Sequence, residues 1–200
     1  GCSSAPDSSS DDGSSAVEQS SDSSSESPSV AEPRDDPVAL DSICDLISTD
    51  EVDSITGLTL DLHTSGAIAS GPPYGRCSWE PPDGNVVAAS ISARPLREDG
   101  VSTPEEWWTR NLEPLKDAVI AVRALPAFGE HGYLATDDTT VDVLWFPEPT
   151  TYVEARVYAT GWVDAPPPST EELEQMVLEL SELFAERLDP HLPLPDPDVD

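Results

Sequence analysis

The chain has 200 residues, 40 acidic against 9 basic, for a formal charge of −31 at pH 7. That sign excludes nucleic acid as a partner, because gripping phosphates takes a basic stripe that releases counterions, and it opposes adsorption to an anionic membrane surface. With 37% hydrophobic residues there is apolar material for one globular core, and the length fits a single domain with appendages.

Residues 1–36 read as a separate object, a disordered tether. Between Ser3 and Asp36 stand 14 Ser, 9 acids and one Arg (Arg34), with little apolar beyond Val17 and Val30, so burial cannot offset the entropy of ordering them. A Ser-rich coil of this length spans on the order of 30 Å root-mean-square, and like charges extend it further. The tether follows Gly1-Cys2-Ser3-Ser4, and Met176 is the only methionine. A small residue, then Cys, then a flexible Ser/Asp run is how a processed bacterial lipoprotein starts, which makes Cys2 the expected lipidation site after signal-peptide removal, carrying a palmitate-type chain. Three cysteines leave one over after a single disulfide, and Cys2 is the one remote from the folded part; an incidental thiol is the competing reading. No stretch approaches the ~20 apolar residues needed to cross a bilayer. Anchorage to the membrane, at its extracytoplasmic face, is therefore expected through lipid alone.

The folded domain is expected over residues 37–190. Pro37 after an Asp36 cap starts a helix, and Leu40, Ile43, Cys44 and Ile47 form one apolar stripe that turns Cys44 toward the core. Ser48 and Glu51 are spaced as a capping box for a second short helix, with Val52 and Ile55 inward and Gly57 as its stop. Arg76-Cys77-Ser78-Trp79-Glu80 alternates as a strand that buries Cys77 and Trp79 together. A Cys44–Cys77 disulfide is the natural inference in an exported protein. From Asn85 to Arg94, Val87, Ala89, Ile91 and Ala93 alternate with Ala88, Ser90 and Ser92, the pattern of a half-buried strand. Thr103-Pro104-Glu105-Glu106 repeats the helix-start grammar; Trp108, Leu112, Leu115 and Val119 mark its inward stripe, and Pro114 should kink or end it early. Val119–Leu125 reads as strand rather than helix, and Tyr133–Thr136 as a further short strand.

The best hairpin joins Thr139–Pro147 to Thr151–Trp162 through Glu148-Pro149-Thr150. Val141, Val143, Trp145, Val153, Ala155 and Val157 make one apolar face. The opposite face carries Leu144, Phe146, Tyr152, Tyr158 and Trp162, so neither side is wholly polar. The last helix begins after Pro166-Pro167-Pro168-Ser169-Thr170, aligns Leu173, Met176, Val177, Leu180, Phe184 and Leu188, and ends at Asp189-Pro190. Residues 191–200 read as a disordered, acidic, Pro-rich tail. Strands joined by short links rather than crossover helices imply an α+β fold, an antiparallel β-sheet with helices packed on it.

A Ser-rich lipoprotein start, a helix ending in Cys44-Asp45-Leu46-Ile47, the Cys77-Ser78-Trp79 strand, the Phe128-Gly129-Glu130-His131-Gly132-Tyr133 turn and an amphipathic terminal helix occur together. In these features the chain resembles, over residues 37–188, the DUF3558-type lipoproteins of actinobacteria. The resemblance implies a cell-envelope location and a fold similar to the Mog1/PsbP-like sandwiches. It carries over no catalytic residue, since that family has no established activity.

The residues themselves point to little chemistry. No G-x-S-x-G elbow, H-E-x-x-H, phosphate loop or glycine fingerprint is present, and His63, His131 and His191 stand singly. No catalytic group, metal site or cofactor is expected. Functional leverage rests on Leu144, Phe146, Tyr152, Tyr158 and Trp162, and on Trp107, which either wraps the sheet edge or faces a partner. Either the N-terminal helices or the terminal helix cover this face, or part of it stays open as an apolar groove. Two functions follow: a non-enzymatic envelope lipoprotein docking onto a membrane- or wall-associated protein as an accessory subunit, or a carrier or sensor holding a small apolar ligand between sheet and helix.

Overall fold

A hairpin that is apolar on both faces needs cover on both sides, and the architecture is organised around supplying it. The structure, a computed structural model, describes residues 39–65, 71–82, 86–114, 121–163 and 165–194; Cys2, the expected tether, the Asp36-Pro37 helix start, Leu115 and Val119 lie outside these. Among the described residues, three α-helices, Thr49–Thr56 (α1), Pro104–Asn111 (α2) and Thr170–Leu188 (α3), accompany seven strands. The strands are Asp61–Ser65 (β1), Gly75–Glu80 (β2), Ala89–Pro95 (β3), Ala121–Ala124 (β4), Tyr133–Thr136 (β5), Thr140–Glu148 (β6) and Thr151–Tyr158 (β7). They form one sheet in the order β1-β2-β3-β7-β6-β5-β4, antiparallel throughout. The fold is α+β, as the alternation of short links and strands implies.

One face of the sheet holds the main core. Cys77, Trp79, Ala89, Ile91, Val141, Val143, Trp145, Val153, Ala155 and Val157 meet Leu173, Val177, Leu180, Phe184 and Leu188 of α3. That helix begins where its capping box lies: Ser169 accepts from the Glu172 N–H at 3.3 Å, and Glu172 accepts from the Ser169 N–H at 2.7 Å. The Ser48/Glu51 pair starts α1 in the same way, with Glu51 accepting from the Ser48 N–H at 3.0 Å, and Gly57 ends it at φ 70°, a conformation that costs a side-chain-bearing residue about 1–2 kcal/mol.

The helix expected from Pro37 through Ile47 is replaced in the described residues by a single 3-10 turn, Ile43–Leu46. Two constraints leave no room for more. Ser42 caps the turn by accepting from the Cys44 N–H at 3.2 Å, and Ile47 is extended so that Ser48 can open α1. The inward side of the turn is as expected: Ile43, Cys44 and Ile47 are buried, and Cys44 is bonded to Cys77 with 5.5 Å between Cα atoms. Arg187 of α3 closes the same corner, donating to the Leu46 carbonyl at 2.7 Å and to both oxygens of Glu51.

Three further expectations need correcting. The β3 strand is not half-buried, because Ser90 and Ser92 are as enclosed as Ala89, Ile91 and Ala93; the register sets Ser92 between Arg76 and Glu154, and Ser90 beside Arg156, whose longer side chains flank them. The second hairpin strand ends at Tyr158, after which Ala159–Gly161 turns and Trp162 packs on the main core. A β-carbon on Gly161 would lie 2.4 Å from that of Ala88, so the turn requires glycine there. Part of the expected tail is also ordered: Leu192 and Leu194 pack on the core beyond residue 190.

Two stability predictions follow from this corner. Replacing both Cys44 and Cys77 by Ala should lower the unfolding free energy by about 4 kcal/mol, the loop-closure entropy for a separation of 33 residues; urea titration reads it directly. The bonds from Arg187 and Ser48 hold the Glu51 carboxyl down to about 2. Its folded value lies below its unfolded one, so the stabilisation is complete above about 4.5 and is lost as pH falls toward 2. Because the pair is partly solvated, Glu51→Gln should cost only about 1 kcal/mol at neutral pH, and the wild-type minus variant difference should vanish in acid.

Candidate functional site

On the opposite face of the sheet, the side chains divide into a sealed apolar part, a polar part and an open groove. Leu96, Val101, Trp107, Leu112, Ala135, Leu144 and Tyr152 form a second, smaller core. The cover comes from α2 and the segment before it, not from the N-terminal helices or α3. Thr103 caps α2 by accepting from the Glu106 N–H at 3.2 Å, while Glu106 reaches past the cap to the Ser102 N–H at 2.8 Å.

The inward tryptophan is Trp107 rather than Trp108. Trp107 is 6% exposed, donates from Nε1 to Asp99 at 2.9 Å, and lies 5.1 Å from the Tyr152 ring and 5.7 Å from Phe146. Trp108 stacks on Tyr133 at 4.1 Å and is half-buried. The helix ends at Asn111, before Pro114, so a two-turn helix takes its rotation from packing and not from a long stripe. Burial pushes the Tyr152 hydroxyl up, as befits a ring sealed under α2.

The six aromatic and aliphatic residues singled out in the sequence are therefore separated. Leu144, Tyr152 and Trp107 are interior, Trp162 is packed against the opposite face, and Tyr158 sits in a polar row. In that row Arg76 donates to the Tyr158 hydroxyl at 3.0 Å, and Arg156 donates to Glu154 at 2.7 Å and to Asp142 with two nitrogens. Burial raises the Asp142 carboxyl to about 6 in spite of Arg156. For Arg156 burial opposes the charge, and the bonds to Asp142 and Glu154 outweigh it. A small cavity of about 180 Å³ lies between this cluster and Trp107, Leu112 and Leu144.

Phe146 alone of the six lines a larger space. The β6–β7 ladder shifts register between Trp145 and Glu148, and Pro147 within that step has no N–H to offer the ladder. The bulge places Phe146 in an open groove of about 490 Å³ with Phe128, His131, Pro104, Pro147, Pro149, Glu105, Glu130 and Glu148. Its far wall is the Phe128–Tyr133 turn, closed by Leu125 N–H to Gly132 carbonyl at 2.7 Å. A β-carbon at Gly132 would meet the Leu125 carbonyl at 2.5 Å, so only glycine fits. Across the groove His131 Nε2 lies 3.1 Å from Glu105 Oε1, and the His131 ring stands edge-on to Phe146. The backbone and Thr103 hydroxyl at the start of α2 hold the Glu105 carboxyl below its ordinary range. The signal for this site in the sequence was Pro147 inside a strand pattern.

The chain matches, over residues 1–142, a family model described as a protein of unknown function, DUF3558. The chain belongs to the DUF3558 family. The match takes in both disulfide cysteines, the Cys77-Ser78-Trp79 strand and the groove's far wall, and stops within β6. No curated protein and no solved structure matches it. Among the described residues, no helix is long and apolar enough to cross a membrane, and no group of three or more His, Cys, Asp or Glu is placed to hold a metal ion.

The division of this face predicts unequal mutational costs. Trp107→Ala should lose about 3–5 kcal/mol of stability, the cost of removing a large interior aromatic, whereas Tyr158→Phe should lose about 1–2 kcal/mol, the bonds its hydroxyl accepts from Arg76 and Arg156. Denaturant unfolding of the two variants checks the order; equal losses would mean that α2 does not seal the second core.

Proposed function

We propose that this DUF3558 protein is a non-enzymatic cell-envelope lipoprotein, anchored by lipid on Cys2 at the extracytoplasmic face of the membrane, that works as an accessory or docking subunit of a membrane- or wall-associated complex. The observation that carries the reading is the open groove beneath Phe146. Sites that enclose drug-sized ligands hold roughly 300–1,000 Å³, whereas the cavity beside Asp142 and one between Tyr74, Leu96 and Leu194 hold only about 180 and about 230 Å³. The larger space is a solvent-facing trough with aromatic, proline and carboxylate walls. That geometry favours a surface contact over a carried apolar ligand.

Support for the anchor comes from composition. Cys44 and Cys77 are consumed in the disulfide, which leaves Cys2 as the third thiol, followed by a Ser- and acid-rich run suited to spacing a domain from a surface. Membership among actinobacterial lipoproteins and a Mog1/PsbP-like relationship belong to the same reading, supported by that run and by the helix-covered antiparallel sheet.

Intact mass of detergent-extracted protein should show an acyl addition on Cys2. In intact host cells, a photo-reactive side chain at Pro149, on the groove, should give a discrete adduct with one envelope protein, while the same group at Glu179, on the outer side of α3, should not. An unmodified soluble product would end the anchoring claim, and no adduct, or identical adducts from both positions, would end the docking claim.

A further inference from the structure

The groove also constrains what can occupy it. Its walls present the half-buried rings of Phe128 and Phe146 with three prolines, and its rim presents the carboxylates of Glu105, Glu130 and Glu148, with neither Lys nor Arg among the lining residues. Glu105 and Glu130 are exposed, and Glu105 already holds one nitrogen donor, His131, at 3.1 Å. Glu148 has one oxygen committed to the Leu194 N–H at 3.1 Å, which fixes the carboxylate at the groove's end. Phe128 is braced by Trp145, with ring centroids 5.3 Å apart, and Phe146 by Trp107 and Tyr152, so the apolar floor is rigid before anything binds.

Charge removes the occupants nearest to hand. The first 36 residues carry nine acids against one Arg, and the last ten carry Asp196, Asp198 and Asp200 with no Lys or Arg, so neither end of the chain suits a carboxylate-rimmed trough. A second copy brings another −31. What remains is a partner of opposite sign, and two aromatic faces beside carboxylates suit a guanidinium or ammonium that can pair and stack at once.

We propose that the groove between the start of α2 and the β6–β7 turn binds a basic, extended segment of a protein partner, its Arg or Lys head groups on Glu105, Glu130 and Glu148 and an apolar side chain on Phe128 and Phe146. This rests on the docking reading and names the partner's chemistry.

The test uses the full chain and two fluorescein-labelled peptides, Arg-Leu-Arg-Pro-Trp-Arg and its Glu-for-Arg counterpart, with binding followed by anisotropy at low salt. The basic peptide should bind and the acidic one should not. Glu105→Gln/Glu130→Gln should weaken binding about tenfold, and Phe146→Ala should weaken it by a similar factor. The control Glu179→Gln/Glu182→Gln removes the same charge from α3 and should leave binding within about twofold, which separates the groove from the general acidity of the surface. Equal loss in both double variants, or binding of the acidic peptide, overturns the proposal. Should the Pro149 adduct form in cells while the groove variants bind the basic peptide normally, docking stands and the basic-segment assignment falls; should no adduct form, the docking reading itself falls.

Discussion

Everything in this fold answers to one constraint, the two-sided apolar hairpin β6–β7 at the middle of the sheet. An antiparallel sheet with one polar face can leave that face to water. Here Val141, Val143, Trp145, Val153, Ala155 and Val157 point one way while Leu144, Phe146 and Tyr152 point the other, so both directions must be closed. The long helix α3, 19 residues, closes the first with one buried stripe, and the two-turn helix α2 closes only part of the second. The remainder of that second face is left to charged rows and to the groove. The site thus arises from a mismatch between a large apolar face and a short cover.

With so few cations, the chain uses them as connectors. Arg187 ties α3 to the Leu46 carbonyl and to Glu51, Arg156 joins Asp142 to Glu154 across neighbouring strands, Arg123 meets Glu174 at 2.8 Å, and Arg76 reaches Tyr158. The tasks of Arg187 and Arg156 take several donors in a planar fork, which Arg supplies and Lys does not. Glu51, Asp142, Glu154 and Glu174 are matched in this way, while Asp53, Asp99 and Glu148 accept from the Leu60 N–H, the Trp107 indole and the Leu194 N–H instead.

Much of this was legible in the residues. Ser48/Glu51 and Thr103 are local devices that act within one turn, so their positions survive into the structure, and the start of α3 after Ser169 survives with them. The pairing of Cys44 with Cys77 followed from each lying on the inward side of its own element. What failed depended on neighbours distant in sequence. The rotation of α2, which decides between Trp107 and Trp108, is set by the Tyr152 and Phe146 rings it meets. The burial of Ser90 and Ser92 is visible only once the register places Arg76, Arg156 and Glu154 beside them. Phe146 stands apart from its hairpin companions because of a bulge, and alternation alone cannot announce a bulge.

The Cys44–Cys77 bond has a mechanical side as well. Tension applied from the N-terminal side of the domain enters at residue 39 and meets the sulfur bridge within a few residues, passing from there into β2, whose neighbours are β1 and β3. The path through the sulfurs bypasses α1 and β1 while the bond is intact. A domain pulled on this side is held by a covalent strut to its sheet, so the pull would strain strand ladders before it could peel off the N-terminal turn. Reduction would reroute the same force through α1, a helix of eight residues.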